Sequence, residues 1–193
     1  MRLGRALSEQ PALTAEVAEE LFTALLLERN ATDQLINPLI CALDRRPVLE
    51  RLITAVGDVE PPCRRRANAA SAAYWVRCWF PPQERALRRA AYDAGARSPE
   101  EFGEYLRRHR TPPRPIDDVA DLWPAFWRVC LEAFVTCDDT DDREILSLTF
   151  PLDPSCHPPE SAELLRAAAD IARRQPETFD RLLNGCSGFG HAI

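Results

Sequence analysis

Residues Gly57 to Phe80 read GDVEPPCRRRANAASAAYWVRCWF, and the fold class follows from how this stretch is built. A Gly-Asp turn and two prolines lead into a run rich in Arg and Ala that ends in large aromatics. Pro61 and Pro62 suit a helix start, because the first turn leaves its N–H groups unused and Pro fixes φ near the helical value. Ala is the best helix former and lets a neighbouring helix come close. The stretch is therefore a junction, where one helix stops at Gly57 and the next runs to about Trp79.

Working outward, the same grammar repeats. Towards the N-terminus, Pro47 fits the first turn of a helix through VLERLITAV. Before it, a helix is expected between Thr32 and Leu43, with Pro38 either kinking it or sitting in its first turn behind Asn37. Thr14 is expected to cap a helix reaching about Glu28, whose apolar stripe is Val17, Leu21, Phe22, Leu25 and Leu26. Residues 1–12 are expected to be frayed.

Towards the C-terminus, Pro81 and Pro82 open a helix that ends at Gly95. Ser98, Pro99 and Glu101 then form a capping box for a helix from Pro99 to Arg108. TPPRPIDD, from Thr111 to Asp118, is the natural place for an internal boundary. A helix from Asp118 to Thr136 carries Leu122, Trp123, Phe126, Trp127, Cys130, Leu131 and Phe134. An acidic turn leads into REILSLTF, with Asp141 or Asp142 expected as its cap, and two further helices follow over 159–174 and 176–183. No segment alternates with period two. The expectation is one all-α domain over 1–193, subdivided if anywhere at 111–117. It has roughly nine or ten helices, arranged as stacked antiparallel pairs or as an irregular helical bundle.

At 193 residues the chain is long enough to bury roughly 70% of its unfolded surface without staples. All 24 basic side chains are Arg, which with the many Ala and Pro residues points to high-GC bacterial coding rather than to mechanism. The net charge of -6 argues against a nucleic-acid binder, which needs a dominant basic face. No apolar run of signal-peptide or membrane-spanning length is present. The seven Cys form no CxxC pair and several lie in apolar helical context, so reduced thiols and a cytoplasmic location are expected.

Asp58 to Ala70 resembles the HEAT-repeat pattern. There an Asp-containing turn and a Pro precede V-R-x-x-A-x-x-A on the second helix of a pair. Cys63-Arg64 stands at the V-R position, and Ala67 and Ala70 follow at the family's spacing. The match covers about 13 residues, and the same phrase does not recur elsewhere. The resemblance implies a stack of helix pairs that presents a binding surface, usually for protein. Asp138, Asp139 and Asp142 satisfy D-D-x-x-D, which is similar to the aspartate-rich motif of class I terpene synthases. That similarity implies Mg²⁺ gripping a diphosphate. No N-D-x-x-S-x-x-x-E partner follows, and the plainer reading is a helix cap that complements the dipole.

No nucleophile elbow, phosphate loop or dinucleotide fingerprint is present. Cys156 and His157, with Cys137, Cys186 and His191, have no knuckle spacing. Arg64, Arg65, Arg66, Arg88, Arg89, Arg107, Arg108 and Arg110 fall on consecutive helices as a solvated face or a basic ridge. Tyr74, Trp75 and Trp79 cannot all face one core, so some of them should be exposed as anchors. The leading expectation is a non-catalytic module that docks one protein partner through Arg64, Arg65, Arg66, Tyr74, Trp75 and Trp79. It needs no cofactor and acts on neither nucleic acid nor membrane. The second expectation is a small helical enzyme that works through Asp138, Asp139 and Asp142 with Mg²⁺ on a diphosphate.

Overall fold

The computed structural model describes residues 3–28, 32–60, 62–79, 82–109 and 118–185. Among these, every regular element is helical, as expected. The chain divides into two compact units, Met1–Arg77 with Val119–Ile193, and Cys78–Asp118. The expected boundary at 111–117 lies outside the described residues.

The larger unit holds α1 (Leu3–Ser8), α2 (Pro11–Glu16), α3 (Ala18–Leu27), α4 (Thr32–Leu43), α5 (Arg45–Gly57) and α6 (Cys63–Arg77). The smaller unit holds α7 (Pro82–Asp93) and α8 (Pro99–His109). The larger unit resumes with α9 (Trp123–Thr136), α10 (Thr140–Ser147), α11 (Ala162–Arg174) and α12 (Asp180–Leu183).

α6 is the centre of the larger unit, packed by α3, α4, α5, α9 and α10. Its small side chains make this possible, since Ala67, Ala69, Ala70, Ala72 and Ala73 are fully buried and keep neighbouring backbones close. Around it lies an aliphatic and aromatic core that includes Leu25, Ile36, Leu39, Leu49, Leu52, Phe126 and Leu131. Phe134 meets Phe150 and Phe179 edge-on, each at 5.4 Å between centroids, the geometry that aromatic quadrupoles favour.

The N-terminus departs from expectation. Residues 1–12 contain α1 and the start of α2, and Thr14 does not cap a helix but is buried inside α2. Its Oγ1 donates to the carbonyls of Leu7 and Gln10 at 2.8 and 3.0 Å, which fastens the two short helices together. α4 continues through Pro38, and Asn37 does not cap it. Instead the Asn37 Nδ2 donates to the Asp33 carbonyl at 2.7 Å. Pro38 cannot donate to the Gln34 carbonyl. Gly4 of α1 lies against that same carbonyl, so closely that a Cβ there would come within 2.5 Å of the Gln34 oxygen.

The smaller unit is a helical hairpin with Ala91, Ala96 and Leu106 buried. Gly95 turns it at φ 101, a value that glycine adopts without strain. The capping box is formed as expected. Glu101 N donates to Ser98 Oγ at 3.2 Å, and Glu101 Oε2 accepts from the backbone of Ser98 and Arg97 at 2.9 and 2.7 Å. These backbone N–H groups hold the Glu101 carboxyl below the usual range.

Candidate functional site

The three arginines that open α6 separate by azimuth. At about 100° per residue, Arg66 lies nearly opposite Arg64. Arg64 and Arg65 are accordingly exposed, while Arg66 is buried and belongs to the fold. Its Nε donates to the Val56 carbonyl at 2.8 Å and its Nη1 to Thr136 Oγ1 at 3.3 Å, which ties the end of α5 to the end of α9. Burial lowers the Arg66 pKa, and Glu132 and Asp58 oppose the shift.

The same corner contains a disulfide between Cys63 and Cys137, with Cα atoms 5.9 Å apart. This corrects the expectation of reduced thiols for that pair. The two cysteines are 74 residues apart in the chain, and α6 packs against both α9 and α10 where they meet. It also removes Cys137 from the conceivable metal set, of which Cys186 and His191 lie outside the described residues. Cys130 keeps its thiol in full burial, which pushes it up to about 12.

The acidic turn closes this corner. Asp139 caps α10, its Oδ1 accepting from Asp142 N at 2.9 Å, where Asp141 or Asp142 was expected as the cap. Arg143 donates to the carbonyls of Phe134 and Cys137 at the end of α9. Asp138 is exposed and Asp142 is buried. Among the described residues no group of three or more His, Cys, Asp or Glu side chains is placed to hold a metal ion, so Asp138, Asp139 and Asp142 do not converge as ligands.

At the other end of α6, Tyr74 and Trp75 remain 41% and 37% exposed on a helix that is otherwise largely enclosed. They meet edge-on, with centroids 5.6 Å apart. Trp75 shares an azimuth with Arg64, but Asn68 between them is buried, its Nδ2 donating to the Leu26 carbonyl at 2.9 Å. The expected binding residues are therefore not one patch. An arginine pair lies at the N-terminal end, an aromatic pair at the C-terminal end, about 15 Å apart by helical rise. Trp79 belongs to the smaller unit and is half-buried.

Sequence reading passed over a cavity beneath the loop from Leu152 to Pro159, against α11. The available signal was the spacing of Ala162, Leu165, Arg166, Ala169 and Arg173, a single stripe that faces a proline-rich segment. Among the described residues, no helix is long and apolar enough to cross a membrane. Comparison with protein-family models, curated proteins and solved structures finds no match.

Proposed function

We propose that the chain is a non-catalytic helical binding module that docks one protein partner on α6, with Tyr74 and Trp75 as the anchor. The observation that carries this reading is the exposure of two neighbouring aromatics on the most enclosed helix of the unit. Large aromatic side chains contribute most when buried, and Trp and Tyr dominate the energetics of protein interfaces. Arg64 and Arg65 supply a second contact. They occupy the first turn of α6, where no acidic residue stands and the helix dipole disfavours cations. A standard interface covers about 800 Å² on each partner and reaches both pairs. The HEAT-like reading of the helix pairs is part of the same proposal, since such stacks present one face to a partner.

The test is recovery of the partner from the cells in which the chain is native. Wild-type protein should retain one stoichiometric partner, and Tyr74→Ala/Trp75→Ala should lose it while keeping the helical circular-dichroism spectrum. Retention of that partner by the double variant would sink the proposal. So would a rise in melting temperature with Mg²⁺ that disappears in Asp138→Asn/Asp142→Asn. A cytoplasmic location is proposed with it, and alkylation of cells before lysis tests that point. The Cys63–Cys137 disulfide weighs against it, because such bonds persist in oxidising compartments, so free thiols at both positions are needed to sustain it.

A further inference from the structure

The cavity against α11 has a volume of about 400 Å³, within the range of small-molecule sites. One wall is the α11 stripe, with Leu165 and the small Ala162 and Ala169 leaving the space open. The other is the loop with Leu152, Pro154, Pro158 and Pro159, whose prolines fix the backbone and lower the entropy lost when a ligand orders it.

The charged side chains that line this cavity are arginines. Arg166 and Arg173 line it, and no carboxylate does. They are seven residues apart, on one azimuth about 10 Å apart, so a guanidinium stands at either end of the apolar strip. Each has an exposed acidic neighbour on its own helix, Glu163 at 3.7 Å and Asp170 at 2.9 Å. Such exposed pairs are weak, and five N–H donors leave a guanidinium free to grip a second anion.

One polar side chain that lines the cavity is incompletely satisfied. His157 lines it and is 91% buried. Its Nε2 lies 2.7 Å from the Pro151 carbonyl, which can only accept, so the proton sits on Nε2. Nδ1 is buried with no protein partner. Outside the lining, the Trp127 ring lies 6.1 Å from the imidazole with its Nε1 buried without a partner, as is the Oγ of Ser161, which precedes Ala162 in the chain. Buried polar atoms are rarely left unpaired without a reason, and a bound molecule or the water that accompanies it is one.

From this arrangement we infer that the cavity between α11 and the Leu152–Pro159 loop binds an amphiphilic monocarboxylate. Its apolar body lies along Leu165 and Ala169, and its carboxylate is held by Arg166 or Arg173. This site is separate from the partner face on α6 and does not depend on it.

Decanoate titrated into the full-length chain, followed by backbone amide NMR shifts, tests the inference. Saturable shifts should be confined to 152–173, with a dissociation constant on the order of 0.1–1 mM, as for a ligand of about a dozen heavy atoms. Arg166→Gln/Arg173→Gln should weaken binding at least fivefold, and Ala169→Trp, which fills the cavity, should abolish it. Decyltrimethylammonium should not compete. Absence of saturable shifts, unchanged affinity in the arginine double variant, or equal binding of the cationic amphiphile would each overturn the assignment. Should Ala169→Trp fail to fold, the arginine variant and the cationic probe still decide.

Discussion

Arg66 shows how a single azimuth turns a charged residue into a structural one. It buries a guanidinium that the Val56 carbonyl and the Thr136 hydroxyl satisfy, while its neighbours Arg64 and Arg65 stay in water. Removing it leaves those acceptors unpaired, so Arg66→Ala should cost about 3 kcal/mol by chemical denaturation, against less than about 0.5 kcal/mol for Arg65→Ala. Equal small effects would show that Arg66 is not buried as described. The sequence offered three consecutive arginines with nothing to separate them until the direction of the core was known. Residue-level electrostatics also sets a pH dependence. Hydrogen bonds from Arg51 and Arg46 hold Glu19 and Asp121 below their ordinary values. The unfolded chain therefore takes up these protons first as pH falls. The stabilisation is complete above the ordinary carboxylate range and is lost below it, between about pH 5 and pH 3. Glu19→Gln/Asp121→Asn should flatten the fall in melting temperature over that interval, and an unchanged slope would remove these pairs from the explanation.

Elements were legible where their ends carry a local code. The Ser98 capping box names its helix from sequence alone, because both partners lie within four residues. α1 and α2 were not legible, since six residues carry too little periodicity. What orders them is non-local, namely Thr14 on the Leu7 carbonyl and Gly4 against α4. α4 tolerates Pro38 for a reason that also lies outside the local pattern, in the Asn37 side chain and its neighbouring helix. At the acidic turn, the sequence indicated a cap but placed it two or three residues late. Asp139 is the cap, so Asp139→Ala should destabilise by about 1 kcal/mol, and Asp141→Ala should cost less. The reverse order, measured by urea unfolding, would restore the expected assignment.

At the scale of the molecule, the all-α class and the central role of the Gly57–Phe80 stretch were written in its turn and its small residues. The fastening of the larger unit was not, because α6, α9 and α10 meet across a 74-residue separation. Closing a loop of that length with Cys63–Cys137 is worth about 4 kcal/mol of chain entropy. Reduction with a dithiol should therefore lower the melting temperature by about 10 °C, and Cys63→Ser/Cys137→Ser should match the reduced wild type. No difference between oxidised and reduced protein would show that packing alone holds this corner. The proposed binding face was half legible, since the sequence required some of Tyr74, Trp75 and Trp79 to be exposed. Which ones depended on what α6 packs against. The most direct measurement is site-specific photo-crosslinking in the native host, with a photoreactive phenylalanine analogue placed at Trp75 or, as control, at exposed Glu20 on α3. A single discrete adduct from position 75 and none from position 20 is the expected result. An adduct from position 20 with none from position 75 would contradict α6 as the docking helix.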